Sequence, residues 1–277
     1  MVTRTLALLF VLGTTLIFGV ADQALAKAPS EQYREHSEEL FYFFSEAAFD
    51  SFSCNMQVDA LDLLVKSLEE QFKAAKVPVT IQENRGDFKV SFERKKDTSS
   101  FVEPSLKLSL NKDAELSDPE STKAGIVQVE AGYKGVVIGA VQVVRGVFDE
   151  FTSSRFAKYA KVEFKKSAKG YDASFTKDGA QIQESFDGQV RRMTFSAQGQ
   201  TITSKSTYQA RGKAGLLFSS AELVPGPGMR ITISIDYQEV KGVLLPKDIA
   251  VLSRQEMGGQ VAENLVKVQL QRCKVRR

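Results

Sequence analysis

The sequence predicts an α+β chain, mainly antiparallel, whose strongly curved meander sheet forms a half-barrel with about three helices covering its open face. Two patterns carry that expectation. From Lys169 onward, eight turn signals recur with alternating apolar and polar residues between them. Before residue 152, three segments space their apolar residues as helices do.

The N-terminus reads as an export signal. Arg4 precedes an apolar run from Leu6 to Val20, and Ala24-Leu25-Ala26 supplies a small-residue cleavage motif. Residues 1–26 are therefore expected to be a signal peptide, and 27–277 a single exported domain. Within it, 27–159 hold helices, short strands and a lid-like helical insert, and 160–277 the meander. No cysteine follows the small residues, so a lipid anchor of the bacterial lipoprotein type is not expected. The expected compartment is periplasmic or secreted.

Residues 35–50 place Leu40, Phe41, Phe44, Ala47 and Ala48 on one helical face, with Glu35, Glu38 and Glu39 in the first turn, where they suit the helix dipole. A strand from Phe52 to Val58 follows, then a helix from Ala60 to Ala75 with Leu61, Leu64, Val65, Leu68 and Phe72 on one side. Short strands are expected around 79–81, 88–92 and 106–110, with the polar stretch 95–100 as a turn. At least Val136 to Phe151 reads as a helix, within a lid from 123 to 151, with a strand pair as the competing reading because Val and Gly are poor helix formers. Gln142 and Arg145 interrupt this run, and its shortness argues against a membrane span.

The meander is expected to hold about nine strands. Its turns fall at Lys169-Gly170, Asp178-Gly179, Asp187-Gly188, Gln198-Gly199, Arg211-Gly212, Pro225 to Gly228, Lys241-Gly242 and Gly258-Gly259. A meander has two faces and one needs cover. Laying the amphipathic helices in the mouth of a curled sheet leaves an apolar cleft between them. Its expected lining is Phe41, Phe44, Ala48, Val137, Val144, Phe148, Phe151, Phe175, Phe195, Ile233 and Ile235.

Cys54 and Cys273 leave two alternatives open. An exported compartment favours a bond between them. Alternation opposes it: Cys54 is in phase with Phe52, Met56 and Val58, whereas Cys273 is in phase with Lys267, Gln269 and Gln271. A bridge then requires the chain end to turn over.

Several function classes lack their residues. His36, the single histidine, lies in a Glu-rich turn, and one His with two distant Cys makes neither a hydrolytic triad nor a zinc site. Asp149-Glu150, Glu69-Glu70 and Glu38-Glu39 sit beside helical apolar residues and read as solvated faces. No phosphate-binding glycine motif occurs, so no cofactor and no enzyme activity are expected. A net charge of +3 among 71 charged residues argues against a nucleic-acid partner. The basic tail Arg272, Lys274, Arg276, Arg277 reads as a solvated end.

The export signal, the aromatic first helix running into the strand Phe52–Val58, the helical interruption and the closing meander together resemble the periplasmic lipoprotein-carrier superfamily. Within Ile235-Asp236-Tyr237-Gln238-Glu239-Val240-Lys241-Gly242-Val243-Leu244-Leu245-Pro246, the pattern Tyr237…Val240-x-Gly242-x-x-x-Pro246 is similar to a late hairpin of outer-membrane lipoprotein-sorting members. The chain departs by extra length between Ala60 and Phe151. The resemblance implies a half-barrel whose helices lid a cavity for acyl chains. A soluble carrier of an apolar ligand, lipid or lipoprotein acyl chain, is therefore the leading expectation, with an envelope protein as a further partner. A non-enzymatic envelope interaction protein with a filled core is the alternative.

Overall fold

The computed structural model describes residues 29–42, 44, 49–74, 77–84, 88–96, 98–110, 119–151, 160–167, 170–177, 179–211 and 215–277. The expected signal peptide and Ala48 lie outside them. The described residues form three helices, α1 (Pro29–Leu40), α2 (Asp59–Ala74) and α3 (Pro119–Asp149), and fourteen strands. Before the meander come β1 (Ser51–Val58), β2 (Val79–Asn84), β3 (Lys89–Glu93), β4 (Thr98–Val102) and β5 (Ser105–Leu110). The meander runs β6 (Ala160–Lys166), β7 (Gly170–Lys177), β8 (Ala180–Asp187), β9 (Val190–Ala197), β10 (Gln200–Ala210), β11 (Leu216–Gly226), β12 (Met229–Val240), β13 (Val243–Met257) and β14 (Gln260–Arg276).

The α+β, mainly antiparallel class is as the turn spacing predicts, and the nine meander strands pair in sequence order. The twelve-stranded sheet continues past β14 to β1, β3 and β4, so the first strand sits beside the last. The sheet does not close: β4 and β6 end it, and β2 and β5 make a separate two-stranded ribbon.

Three expectations need correction. The first helix occupies Pro29–Leu40 rather than 35–50. Proline suits the first helical position, and Tyr33 and Ser37, four residues apart, are the positions buried on its inner side. Beyond Leu40 the aromatic residues leave the helix. Phe41 bridges Leu216, the Tyr42 amide donates to the Leu216 carbonyl, and the Phe44 amide donates to the Phe151 carbonyl. Aromatic side chains lose rotamer freedom in a helix, and here tertiary acceptors replace the intrahelical ones. Gly215, at φ +83°, permits this approach, because a Cβ there would lie 3.1 Å from the Leu40 carbonyl oxygen.

The second correction is β4, which overlaps the polar stretch expected to be a turn; it is an edge strand paired only to β3, where polar side chains are tolerated. The third is α3, which starts at Pro119 and runs for 31 residues. By length and composition it could cross a membrane, and 28% of its most apolar window is buried. The expectation that this segment is too short to span therefore falls.

Cys54 and Cys273 form a disulfide. The ladder shows how alternation is overcome. Ser53 pairs with Lys274 and Asn55 with Gln271, so β14 carries one extra residue opposite Cys54. Arg272, at φ +50°, absorbs that residue. Val268 and Leu270 face the core before the bulge, and Val275 faces it afterward, bringing Cys273 round to Cys54. A bond spanning 219 residues is worth about 5 kcal/mol in the chain-entropy description.

Candidate functional site

Eight of the residues expected to line a cleft are core. Phe41, Phe44, Val137, Val144, Phe148, Phe151, Phe175 and Ile235 are at most 4% exposed and belong to one cluster. Phe44 is the hub of an aromatic seam, with ring centroids 5.3 Å from Phe52, 5.0 Å from Phe92, 5.9 Å from Phe148 and 5.0 Å from Phe151. Phe41 packs separately, 5.1 Å from Phe186 and 4.7 Å from Tyr208. Phe175 lies beneath α1, 5.9 Å from Tyr33. Rings at these separations attract one another beyond their burial.

Phe195 and Ile233 occupy a different place. They lie on the same face of the sheet as the core but are half-buried. The register builds a strip around them. Phe195 pairs with buried Ile182, and Met193 pairs with buried Glu184. Leu223 lies two residues beyond buried Ala221, and Ala221 pairs with Ile233. Ile233 pairs with Val251, and Val251 with Val266. Met193, Phe195, Leu223, Ile233, Val251 and Val266 are all half-buried and all touch the core cluster. The strip therefore lies on β9 and on β11 to β14 as an apolar surface open on one side, with half-buried Ser204 of β10 between Met193 and Leu223.

Beside the seam lies a buried polar network, and it corrects the expectation for Glu150, which is not part of a solvated face but is paired with buried Arg191. On β8, Glu184 accepts hydrogen bonds from Tyr33 of α1 at 3.0 Å and Tyr171 of β7 at 2.5 Å. On β9, Arg191 donates to Glu150, just past α3, at 2.6 Å, and Glu150 also accepts from Tyr208 at 3.1 Å. Burial of Arg191 disfavours its charge, but Glu150, Tyr208, Glu184 and Tyr171 more than offset this and hold the guanidinium protonated well above its usual value. Its face also stacks over Tyr208, 5.5 Å from the ring centroid. A signal was present: Glu184 is in phase with Ile182 and Phe186, and Arg191 with Met193 and Phe195, so each puts a charge on an apolar face.

The two carboxylates of this network are saturated. Both Glu184 oxygens accept from tyrosines, and both Glu150 oxygens are engaged. Arg191 Nε and Ser37 Oγ make no hydrogen bond among the described residues. His36 lies against the rings of Phe164 and Tyr171, each 5.9 Å away, with its Nδ1 3.6 Å from Glu39. The described residues hold no group of three or more His, Cys, Asp or Glu placed to bind a metal ion. What the network does is brace: it ties α1 and the end of α3 to four consecutive strands.

The surface carries several recesses, one of ≈ 600 Å³ lined by Glu184 with Phe164, Ala173 and Thr194. A second of ≈ 630 Å³ sits among the strand ends at Thr201, Pro227, Met229 and Arg254. Another of ≈ 410 Å³ between α3 and the start of β5 is lined by Val137, Leu106, Val127, Glu130 and Tyr133. No family model, curated protein or solved structure matches the chain.

Proposed function

We propose that this protein is an exported, non-enzymatic carrier or binding protein that holds an apolar ligand, a lipid or acyl chain, against the inner-face strip. The observation that carries the reading is the continuity of Met193, Phe195, Leu223, Ile233, Val251 and Val266 with the core, on a face left open. Each methylene laid on such a surface contributes about 0.8 kcal/mol when fully buried. A few contacts along an acyl chain then suffice for binding without any charged anchor.

A half-barrel is part of this proposal. Phe44 touches Phe52 on β1 and Phe92 on β3, while Phe41, three residues earlier, touches Phe186 on β8. Eight strand steps separate β3 from β8, which at about 4.8 Å each would be about 38 Å in a flat sheet. Three extended residues span only about 10 Å. Curvature that brings the two regions toward each other reconciles these lengths, and it would make the strip the wall of a concavity. Export is supported by the disulfide, which persists in oxidising compartments. The resemblance to periplasmic lipoprotein carriers belongs to the same proposal.

The test is native mass spectrometry of the protein isolated from its exported compartment without detergent, beside an Ile233→Gln/Leu223→Gln variant. The expected result is a bound lipid or acylated peptide, released on unfolding and lost in the variant. Equal retention in the variant overturns the assignment to the strip. A bare mass, together with no lipid uptake from added micelles, favours the second reading: a non-enzymatic envelope interaction protein with a filled core, which the tightly packed aromatic seam recommends.

A further inference from the structure

The side of α3 turned away from the core carries an ordered row of charge, of which only Arg145 has a ring partner inside the molecule among the described residues, Phe101 of β4 at 5.3 Å. Lys123, Lys134 and Arg145 recur every eleven residues. Eleven residues are three helical turns, so the three cations fall in one row, successive members about 16 Å apart along the axis. All three are exposed. Between Ser121 and Phe148 no exposed position carries a carboxylate: Glu130 is half-buried, and it accepts the Leu108 amide at 2.7 Å. Four residues after Lys123 and after Lys134 come Val127 and Ile138, which are 65% and 39% exposed.

Apart from Gln128 and Gln142, the rest of the exposed face is small. A Cβ at Gly132, Gly135, Gly139 or Gly146 would meet nothing within 4 Å. Each glycine weakens the helix relative to alanine, and nothing in the fold requires its lack of a side chain. The face is thus low in relief, and the exposed charges that the helix itself carries between Ser121 and Phe148 are all positive, although Glu103 of the β4–β5 loop shares a recess with Val127 and Lys134.

We propose that this face of α3 is a docking surface for an anionic lipid membrane. Val127 and Ile138 settle at the headgroup boundary, the flexible stems of Lys123 and Lys134 lift their ammonium groups to the lipid phosphates, and Arg145, its guanidinium over the Phe101 ring, adds its charge at the end of the row. The glycines let the helix axis approach the bilayer closely. Charge complementarity selects this occupant. A second copy of the chain would bring an identical cation row against the first, whereas an anionic surface attracts all three cations. The surface is separate from the inner-face strip and stands whether or not that strip holds a ligand.

The experiment is flotation of the protein, as isolated from the cells that make it, with vesicles of phosphatidylcholine alone or mixed with phosphatidylglycerol. Flotation is expected with the mixed vesicles, weakening as salt rises, and not with phosphatidylcholine alone. Replacing the row, Lys123→Gln/Lys134→Gln/Arg145→Gln, should weaken binding roughly a hundredfold. Val127→Asp/Ile138→Asp should abolish it. These positions are exposed, so both variants should keep the far-ultraviolet circular dichroism and the disulfide of the parent. Equal binding by the row variant, indifference to phosphatidylglycerol, or no binding at all overturns the proposal. A concentration-dependent dimer lost in the Val127→Asp/Ile138→Asp variant, without vesicle binding, also overturns it and gives the face to a second copy. Ligand retention in the mass spectrum reads the strip separately, so either idea can fail alone.

Discussion

Adjoining rows of the inner face have similar side chains and different surroundings. Ile235, Ile249 and Val268 are at most 4% exposed and share a core with Phe148 and Phe151. Two residues along the same strands, Ile233, Val251 and Val266 are only half-buried. Both rows are β-branched, both lie on one face, and each is paired straight across the sheet. The difference comes from where the covering segments end, and not from the strands themselves. An open apolar surface can therefore be made by withholding cover from a strand pattern that would otherwise be core.

The largest effect should separate these two regions. Phe148→Ala empties the middle of the seam, where Phe44 and Phe52 lie 5.9 and 5.6 Å away, and should cost about 3–5 kcal/mol. Ile233→Ala removes half-exposed surface and should cost about 1 kcal/mol. Urea unfolding of the two variants reads both values, and equal losses would erase the distinction between core and strip.

An intermediate effect concerns how the cover is held. Arg191→Met leaves Glu150 and Tyr208 without their cationic partner and should cost about 2–3 kcal/mol. Adding Glu150→Leu should restore much of that loss, because a matched apolar pair leaves no orphaned charge. The same unfolding curves test it, and a double variant as unstable as the single one would show that the charge pair itself is required.

The smallest effect lies at the other end of α3, which is held to the β2–β5 ribbon by the Tyr133 hydroxyl donating to Glu83 at 2.7 Å. Burial raises the Glu83 carboxyl above its usual value; the Tyr133 hydrogen bond opposes this, and Glu69 adds to it. A raised carboxyl holds its proton more tightly folded than unfolded. Its contribution is fully present below pH 4.5 and is lost as pH climbs through the raised value. Glu83→Gln keeps an acceptor for Tyr133 and should flatten that slope, as thermal unfolding across pH 4 to about 7 would report.

Much of this architecture was legible in the residues. Turn signals mark the meander because glycine after a polar residue suits hairpin backbone, and alternation between them assigns faces. The two longer helices, α2 and α3, show their stripes, though the start of α3 is masked by glycines that interrupt its apolar spacing. Other features depend on tertiary partners. Phe41 and Phe44 keep helical spacing and the Phe41 amide still donates to the Ser37 carbonyl, yet the amides of Tyr42 and Phe44 donate to Leu216 and Phe151. β4 is polar because one of its edges has no neighbour. The bulge at Arg272 leaves no local mark, so alternation alone set Cys273 on the wrong face. At the candidate site, strand phase distinguishes inner from outer residues, but it does not say which inner residues a helix covers. It thus groups Phe195 and Ile233 with Phe175 and Ile235. Glu184 and Arg191 were readable by the same phase, as charges out of place.

The pairing of β1 with β14 also sets an order of events during synthesis. β1, β3 and β4 can zip together as soon as residue 102 has emerged, and the meander can grow hairpin by hairpin from β6. The two blocks share no ladder, and each keeps a bare edge, until β14 arrives with both the missing ladder and the second cysteine. Oxidation of Cys54 with Cys273 therefore works as a proof of completion: the covalent seal can form only on a chain that has been delivered through its final strand.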